Sequence, residues 1–337
     1  MNALIVRLSA MGDVLHALPL AANLKRAGHR VGWVIEKPLA PLLSGNPNVD
    51  AVIPVQTKRW RSRGLRSGAF GEVRNARAEI LEFRPGAVLD PQGNEKSWWV
   101  AQLAAAPRIV LDDRSVRRNW TRFLSSVRVA PGGSALHVTD RVLALLAPLG
   151  VATSERAPNA RYLLEGGHPE ASAFLAAAPR PFALYHPGAG WANKCWGEDR
   201  FAALAERVRR ERGIVPIVSW GPGDEVRARE LSQRADAPAI PALDFRGLAR
   251  VIAASEFFAS GDTGPLHLAD ALGVPTVALF GPTDGVRNGP YRRNGLLFSS
   301  DLPCAPCNDR YGEVKPCLKR TSVDDVARAV VARFVSA

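Results

Sequence analysis

The sequence predicts an α/β protein built from two doubly wound units. Three observations carry that prediction. Short β-branched runs alternate with helical runs in both halves. A stretch rich in Ala, Gly and Pro, residues 149–181, separates the two series. The chain has 337 residues, which leaves room for two domains of roughly 100–200 residues each. Strand–helix alternation makes each strand return by a crossover, so the strands lie parallel with helices on both faces.

In the first half, residues 3–8 read as a buried strand, followed by a helix over about 12–27 with Val14, Leu15, Leu18 and Leu24 broadly on one face. Residues 30–35, 51–55, 87–90 and 109–111 read as further strands, with a helical run over 96–105. The connection carries an added strand at 160–164. In the second half, 182–185, 214–219, 256–259 and 276–280 read as strands. Helices are expected over 199–212, 224–234 and 245–254, and from about Gly264. The last run, 323–334, has a strong helical pattern, with Ser322 and Asp325 spaced as a capping box.

The formal net charge is +12 and the pI about 10.2. A nucleotide ligand, a phosphorylated lipid or a nucleic acid would suit this charge, and so would a merely solvated basic surface. No motif of a nucleic-acid module accompanies it, so no nucleic-acid partner is expected. The first apolar run is cut by Arg7 and is too short for a signal segment. No run reaches the length of a membrane span. A cytoplasmic protein is expected, with a basic face available to the inner face of the membrane. Cys304, Cys307 and Cys317 cluster while Cys195 stands apart. A zinc site wants four ligands, so no metal is expected.

Ligands of open α/β sheets bind beyond the carboxyl ends of the strands, which directs attention to the loops there. The first is Ser9-Ala10-Met11-Gly12-Asp13. Asp13 reads either as a base at the mouth of a cleft or as a helix cap, where the helix dipole would weaken it as a base. His16, one turn on, reads as an orienting group or a packed helix residue. The second loop runs from His186 to Trp196, with Gly188, Gly190 and Lys194. Its composition suits a phosphate-binding turn, although it lacks the P-loop and dinucleotide patterns; a flexible connector is the bland reading. The third is Ser260-Gly261-Asp262-Thr263-Gly264-Pro265-Leu266-His267. Thr263 and Gly264 open a helix there, where backbone N–H groups receive phosphate, or where the helix is simply well capped. Gly281-Pro282-Thr283-Asp284 reads as an ordinary turn. Basic stretches follow two strands, one from Lys58 to Arg63 and one with Arg114, Arg117 and Arg118; Trp60 and Trp120 sit among them.

Taken in order, these segments resemble glycosyltransferase family 9, the heptosyltransferases of lipopolysaccharide core assembly. The resemblance rests on ALIVRLSAMGDVLHALPL at the start and on Val88-Leu-Asp-Pro-Gln-Gly-Asn-Glu-Lys96-Ser. It continues through Lys58-Arg-Trp-Arg, Asn193-Lys-Cys-Trp196, Trp220-Gly221 with Glu225, and Gly261-Asp-Thr-Gly-Pro-Leu-His267. It spans nearly the whole chain and is nearest the heptosyltransferase I branch, although Pro303-Cys-Ala-Pro-Cys307 looks more like other branches.

The resemblance implies the GT-B fold, two Rossmann-like domains facing a cleft. The acceptor-binding domain would cover 1–160 and the nucleotide-sugar-binding domain 175–320. The last helix, 321–337, would pack back on the first domain. It also implies inverting, metal-independent transfer of heptose from ADP-heptose to a phosphorylated lipopolysaccharide-core acceptor, with no cofactor. By carry-over, Asp13 is the general base and Lys194 contacts the diphosphate. Gly190, Asp262, Thr263, Gly264 and His267 complete the donor site, and Glu225 holds the ribose. Ser9, Met11, Gly12, Arg59, Arg61, Lys96 and Arg117 serve the acceptor.

This chemistry needs a base for the acceptor proton and positive groups for the leaving diphosphate. The chain has no Asp-x-Asp, so no metal-bridged diphosphate is suggested. Rival readings are a non-catalytic sugar-nucleotide or lipopolysaccharide binder, a relative acting on another sugar nucleotide or acceptor, and an epimerase on a similar scaffold.

Overall fold

The computed structural model describes residues 1–63, 69–112, 119–132, 136–307 and 316–334. Arg114, Arg117 and Arg118 lie outside these described residues. The chain divides into two compact units, Met1–Leu163 and Leu164–Ala337.

The first unit holds six strands: β1 (Asn2–Val6), β2 (Arg30–Glu36), β3 (Ala51–Val55), β4 (Ala87–Asp90), β5 (Arg108–Leu111) and β6 (Val127–Val129). They form one sheet in the order β3-β2-β1-β4-β5-β6, and every pairing is parallel. Ala3, Leu4, Ile5 and Val6 are fully buried, as a strand covered on both faces requires. The order reverses between β1 and β4. Beyond their carboxyl ends lies the crevice where such sheets bind ligands. The expected helix over 12–27 is two helices, Met11–His16 and Leu18–Arg26. Pro19 causes the break. It has no N–H to return to the carbonyl four residues back, yet its fixed φ suits a first helical turn.

The second unit holds β7 (Phe182–His186), β8 (Val215–Val218), β9 (Phe258–Gly261), β10 (Thr276–Phe280) and β11 (Leu296–Ser299), all parallel, in the order β11-β10-β9-β7-β8. Here the reversal falls between β7 and β9. The strand expected at 256–259 sits two residues later, so Gly261 is its last residue. The strand expected at 160–164 is a short 3-10 turn, Arg161–Leu164.

The last helix, Val323–Arg333, is capped by Ser322, whose hydroxyl accepts from the Asp325 N–H at 3.1 Å. Its buried face belongs to the second unit. Val326, Ala327 and Val330 lie in the second unit's own core with Phe201, Leu204 and Val208, and Phe334 stacks on Phe257 at 4.7 Å. Each buried valine contributes roughly 1.5–3 kcal/mol, so this helix is part of what stabilises the second unit.

Candidate active site

In the first unit, the loops after β1 and β4 meet. Leu8 N–H donates to Gln92 Oε1 at 3.0 Å, and Arg7 Nη1 donates to the Pro91 carbonyl at 3.1 Å. The β4 loop is held from below by Asp90. Its fully buried carboxylate accepts from the Gln92 and Gly93 N–H groups and from Ser97 Oγ, and pairs with Arg108 at 2.6 Å. The Leu-Asp-Pro-Gln-Gly signature is therefore a self-bracing loop that sets Lys96 in place. Lys96 Nζ pairs with Glu36 at 2.7 Å and reaches Ser9 Oγ at 3.3 Å.

Asp13 is at the third position of the Met11–His16 helix, whose N-cap is Ala10. One carboxylate oxygen accepts from the Ala10 N–H at 3.1 Å, and the other lies 2.5 Å from Arg7 Nη2. Asp13 is thus both a bracing group of the helix start and a half-exposed carboxylate at the sheet's switch point. His16 is buried and meets the His137 ring edge-on at 5.1 Å, which is the packed reading of that residue. Met11 and Gly12 belong to the same turn. Arg59 and Arg61 lie on the Thr57–Arg63 helix after β3. Arg59 Nη1 pairs with Glu72 at 3.0 Å, and Trp60 Nε1 donates to the same carboxylate at 3.2 Å.

In the second unit, the loops after β7 and β9 meet in the same manner. Gly261 is required by close approach: a Cβ there would lie 2.4 Å from the Lys194 carbonyl oxygen. This contact brings Lys194 to Asp262. Their Nζ and Oδ2 are 2.5 Å apart, with both side chains 13% exposed. His267 Nε2 lies 3.4 Å from the other carboxylate oxygen, and Lys194 Nζ sits 4.1 Å above the Trp191 ring centroid. Burial would raise the Asp262 carboxyl, but the His267 hydrogen bond and the Lys194 charge outweigh it and hold it well below the usual carboxylate range. Thr263 caps the Gly264–Leu272 helix through the Leu266 N–H at 3.3 Å, with Ser260 Oγ 3.0 Å from its hydroxyl. Thr263, Gly264, Asp262, His267 and Lys194 thus form one cluster at a helix N-terminus, which favours anions.

Two expected donor residues lie at the surface of the second unit. Glu225 is the exposed first residue of the Glu225–Ala235 helix and accepts from the Gly223 N–H at 3.0 Å. Gly190 is exposed, and a Cβ there would meet nothing within 4 Å. The tight glycine of the loop is Gly188, where a Cβ would fall 2.1 Å from the Asp224 carboxyl carbon.

Sequence reasoning missed four residues that shape these loops: Arg7, Glu36, His186 and Asp224. His186 is buried at the end of β7, with Nδ1 3.1 Å from Ser219 Oγ and Nε2 3.6 Å from Asp224. The signal available was a titratable residue at the end of an otherwise apolar strand, His186, or directly after one, Arg7. Burial pushes the His186 imidazole down from 6.5 to about 4. In that interval the unfolded chain binds a proton that the folded chain refuses, so stability is lost as the pH falls from 6.5 toward 4. Asp262, also depressed, contributes stability above its ordinary value of 3.8 that is lost only as the pH falls below it. Thermal melts across pH 7 to 3 should show His186→Gln removing the upper sensitivity and Asp262→Asn the lower. A wild-type melting temperature that stays flat from 6.5 to 4 would contradict the assignment.

Cys195 and Cys317 are buried, Cys304 and Cys307 exposed. Among the described residues there is no group of three or more metal-ligating side chains and no helix long and apolar enough to cross a membrane.

The sequence profile of glycosyltransferase family 9 (heptosyltransferase) matches residues 79–317. The chain is also 32% identical to lipopolysaccharide heptosyltransferase 1 of Pseudomonas aeruginosa, covering 97% of this chain and 92% of that one. The chain belongs to glycosyltransferase family 9. This family 9 chain superposes on the Escherichia coli heptosyltransferase WaaC with ADP at a TM-score of 0.80 and 26% identity, covering 99% of this chain and 100% of that one. A structure of the same enzyme with ADP-2-deoxy-2-fluoro heptose gives 0.78 at the same identity and coverage. The fold is GT-B, as the two switch-point sheets indicated, and the protein is a glycosyltransferase. Membership favours transfer over the epimerase reading.

Proposed function

We propose that this glycosyltransferase moves heptose from ADP-heptose to the inner core of lipopolysaccharide by a single inverting displacement, with no cofactor or metal. One observation carries the reading. The Lys194–Asp262–His267 cluster stands at the N-terminus of the Gly264–Leu272 helix, on the switch point of the second sheet. A diphosphate there meets the Lys194 cation and the positive end of the helix dipole together. The relatives' names and the ADP-bound neighbours support the donor and acceptor classes.

In this reading Asp13 takes the proton of the acceptor hydroxyl. That oxygen forms its bond to the anomeric carbon as the bond to the diphosphate breaks, and ADP leaves with the electron pair. Lys194, Thr263 and Gly264 receive the developing charge, while Asp262 and His267 hold Lys194. Gly190 and Glu225 complete the donor side, Glu225 at the ribose. Ser9, Met11, Gly12, Arg59, Arg61, Lys96 and Arg117 serve the acid and phosphate groups of the acceptor.

Calorimetry tests the donor side: ADP should bind, and Asp262→Asn should weaken it. Unchanged affinity would remove the cluster from the donor site. For the acceptor side, Arg59→Gln should raise the acceptor KM about 10- to 100-fold, the worth of one charge-assisted hydrogen bond, and leave ADP affinity intact. Equal loss of both would overturn the division of roles.

A further inference from the structure

The Lys194 ammonium has two partners of different kinds. Asp262 Oδ2 lies 2.5 Å from its Nζ, and the ammonium also sits 4.1 Å above the centroid of the Trp191 ring. That is well within the roughly 6 Å over which a ring face attracts a cation. The local fold produces this second contact. Ala192–Lys194 form a single 3-10 turn, closed by the Lys194 N–H donating to the Trp191 carbonyl at 3.0 Å. Such a turn repeats every three residues and brings side chains three apart to one side. Trp191 and Lys194 are three apart. The backbone at Lys194 is fixed as well, because its carbonyl packs against Gly261 with no room for a Cβ. Trp191 is half-buried and the Lys194 side chain is 13% exposed. Water therefore reaches little of the pair, and the attraction between cation and ring strengthens as it is desolvated.

The two partners act differently on the charge. The Asp262 carboxylate fixes the ammonium and cancels much of its field. An indole face attracts a cation through its quadrupole but carries no net charge. It holds the ammonium without neutralising it and covers it against water, which would screen it. A second carboxylate in the place of Trp191 would hold Lys194 as firmly and leave no positive field for a diphosphate. We infer that Trp191 is a positioning residue for the transfer: its indole face holds the Lys194 ammonium against full capture by Asp262 and keeps it available to the leaving diphosphate. The inference rests on the proposed place of Lys194 at that diphosphate. Trp191 acts through Lys194 and not by stacking on either substrate.

The test is a double-mutant cycle on kcat, run on the full chain with ADP-heptose and a delipidated core acceptor. Trp191→Leu fills part of the space without a ring face. It should lower kcat by about 5- to 30-fold, the range that a largely desolvated cation–π contact supports, and leave the acceptor KM unchanged. Trp191→Phe keeps a ring face and should recover most of the loss. The second arm makes the Trp191→Leu change in a Lys194→Met, Asp262→Asn background, which has no cation to position and no stranded carboxylate. There it should alter kcat by less than about twofold, because the contact it removes is already gone. A purely structural role, or direct stacking on a substrate, would cost activity in both backgrounds, so an equal loss in both would overturn the inference. Trp191→Phe no better than Trp191→Leu would overturn it too. The proposed donor site fails separately: full turnover in Lys194→Met would remove that reading and this inference together. A collapsed Lys194→Met beside Trp191→Leu at wild-type kcat would leave the donor site standing and sink the positioning role alone.

Discussion

Asp13→Asn is expected to lower kcat by about 10²–10⁴-fold, the usual worth of a general base, with little effect on acceptor KM. The geometry makes the substitution informative. Asn keeps an oxygen for the Ala10 N–H, so the helix start survives. It gives Arg7 a neutral partner in place of a carboxylate 2.5 Å away. The Arg7 side chain is 9% exposed and that of Asp13 42%, so solvent screens the pair and the cost should stay near or below about 1 kcal/mol. A small fall in melting temperature beside a collapse in turnover is the expected pair of results. Arg7→Lys serves as the companion: it keeps the charge and so should retain far more turnover than Asp13→Asn. Full turnover in Asp13→Asn would leave the displacement without its base.

Lys194→Met should reduce kcat by about 10²–10³-fold, as removal of a transition-state charge stabiliser does. The substitution also strands Asp262. Its carboxylate is nearly buried and would keep only His267, and removing one partner of such a pair costs about 3–5 kcal/mol where burial is complete. A destabilised variant could therefore be inactive for the wrong reason. Pairing Lys194→Met with Asp262→Asn separates the two causes. The double variant should melt closer to wild type because no unpaired charge remains, yet stay inactive because the diphosphate still lacks its cation. Recovered activity in the double variant would mean that Lys194 only neutralises Asp262.

The loops that carry the candidate residues could be singled out from sequence because they hold glycine and titratable residues directly after apolar strands. Asp13, Lys194 and the Asp262–His267 segment all fall there. What stayed hidden has physical reasons. β6 and β11 are short and half exposed, so neither shows the unbroken apolar run that marks a central parallel strand. The break at Ala17 was written in Pro19, but the hydrophobic face continues across it and masks the stop. The partners of the site residues were harder still. Arg7 pairs with Asp13 six residues on, Glu36 reaches Lys96 across the sheet, and Asp224 folds over Gly188 from the loop after β8. Periodicity reports which face a residue takes, not which neighbour it meets across strands. The final helix shows the same limit: its amphipathic pattern was plain, but its place in the second unit's core was set by Phe201, Leu204 and Val208.

The most direct test of heptose transfer is mass spectrometry of the products formed from ADP-heptose and delipidated core acceptors, with nuclear magnetic resonance of the new linkage. The account predicts that the acceptor gains one heptosyl residue for each ADP released, that the anomeric configuration is inverted, and that chelators leave the rate unchanged. ADP released without gain on the acceptor, or a retained configuration at the new linkage, would contradict it.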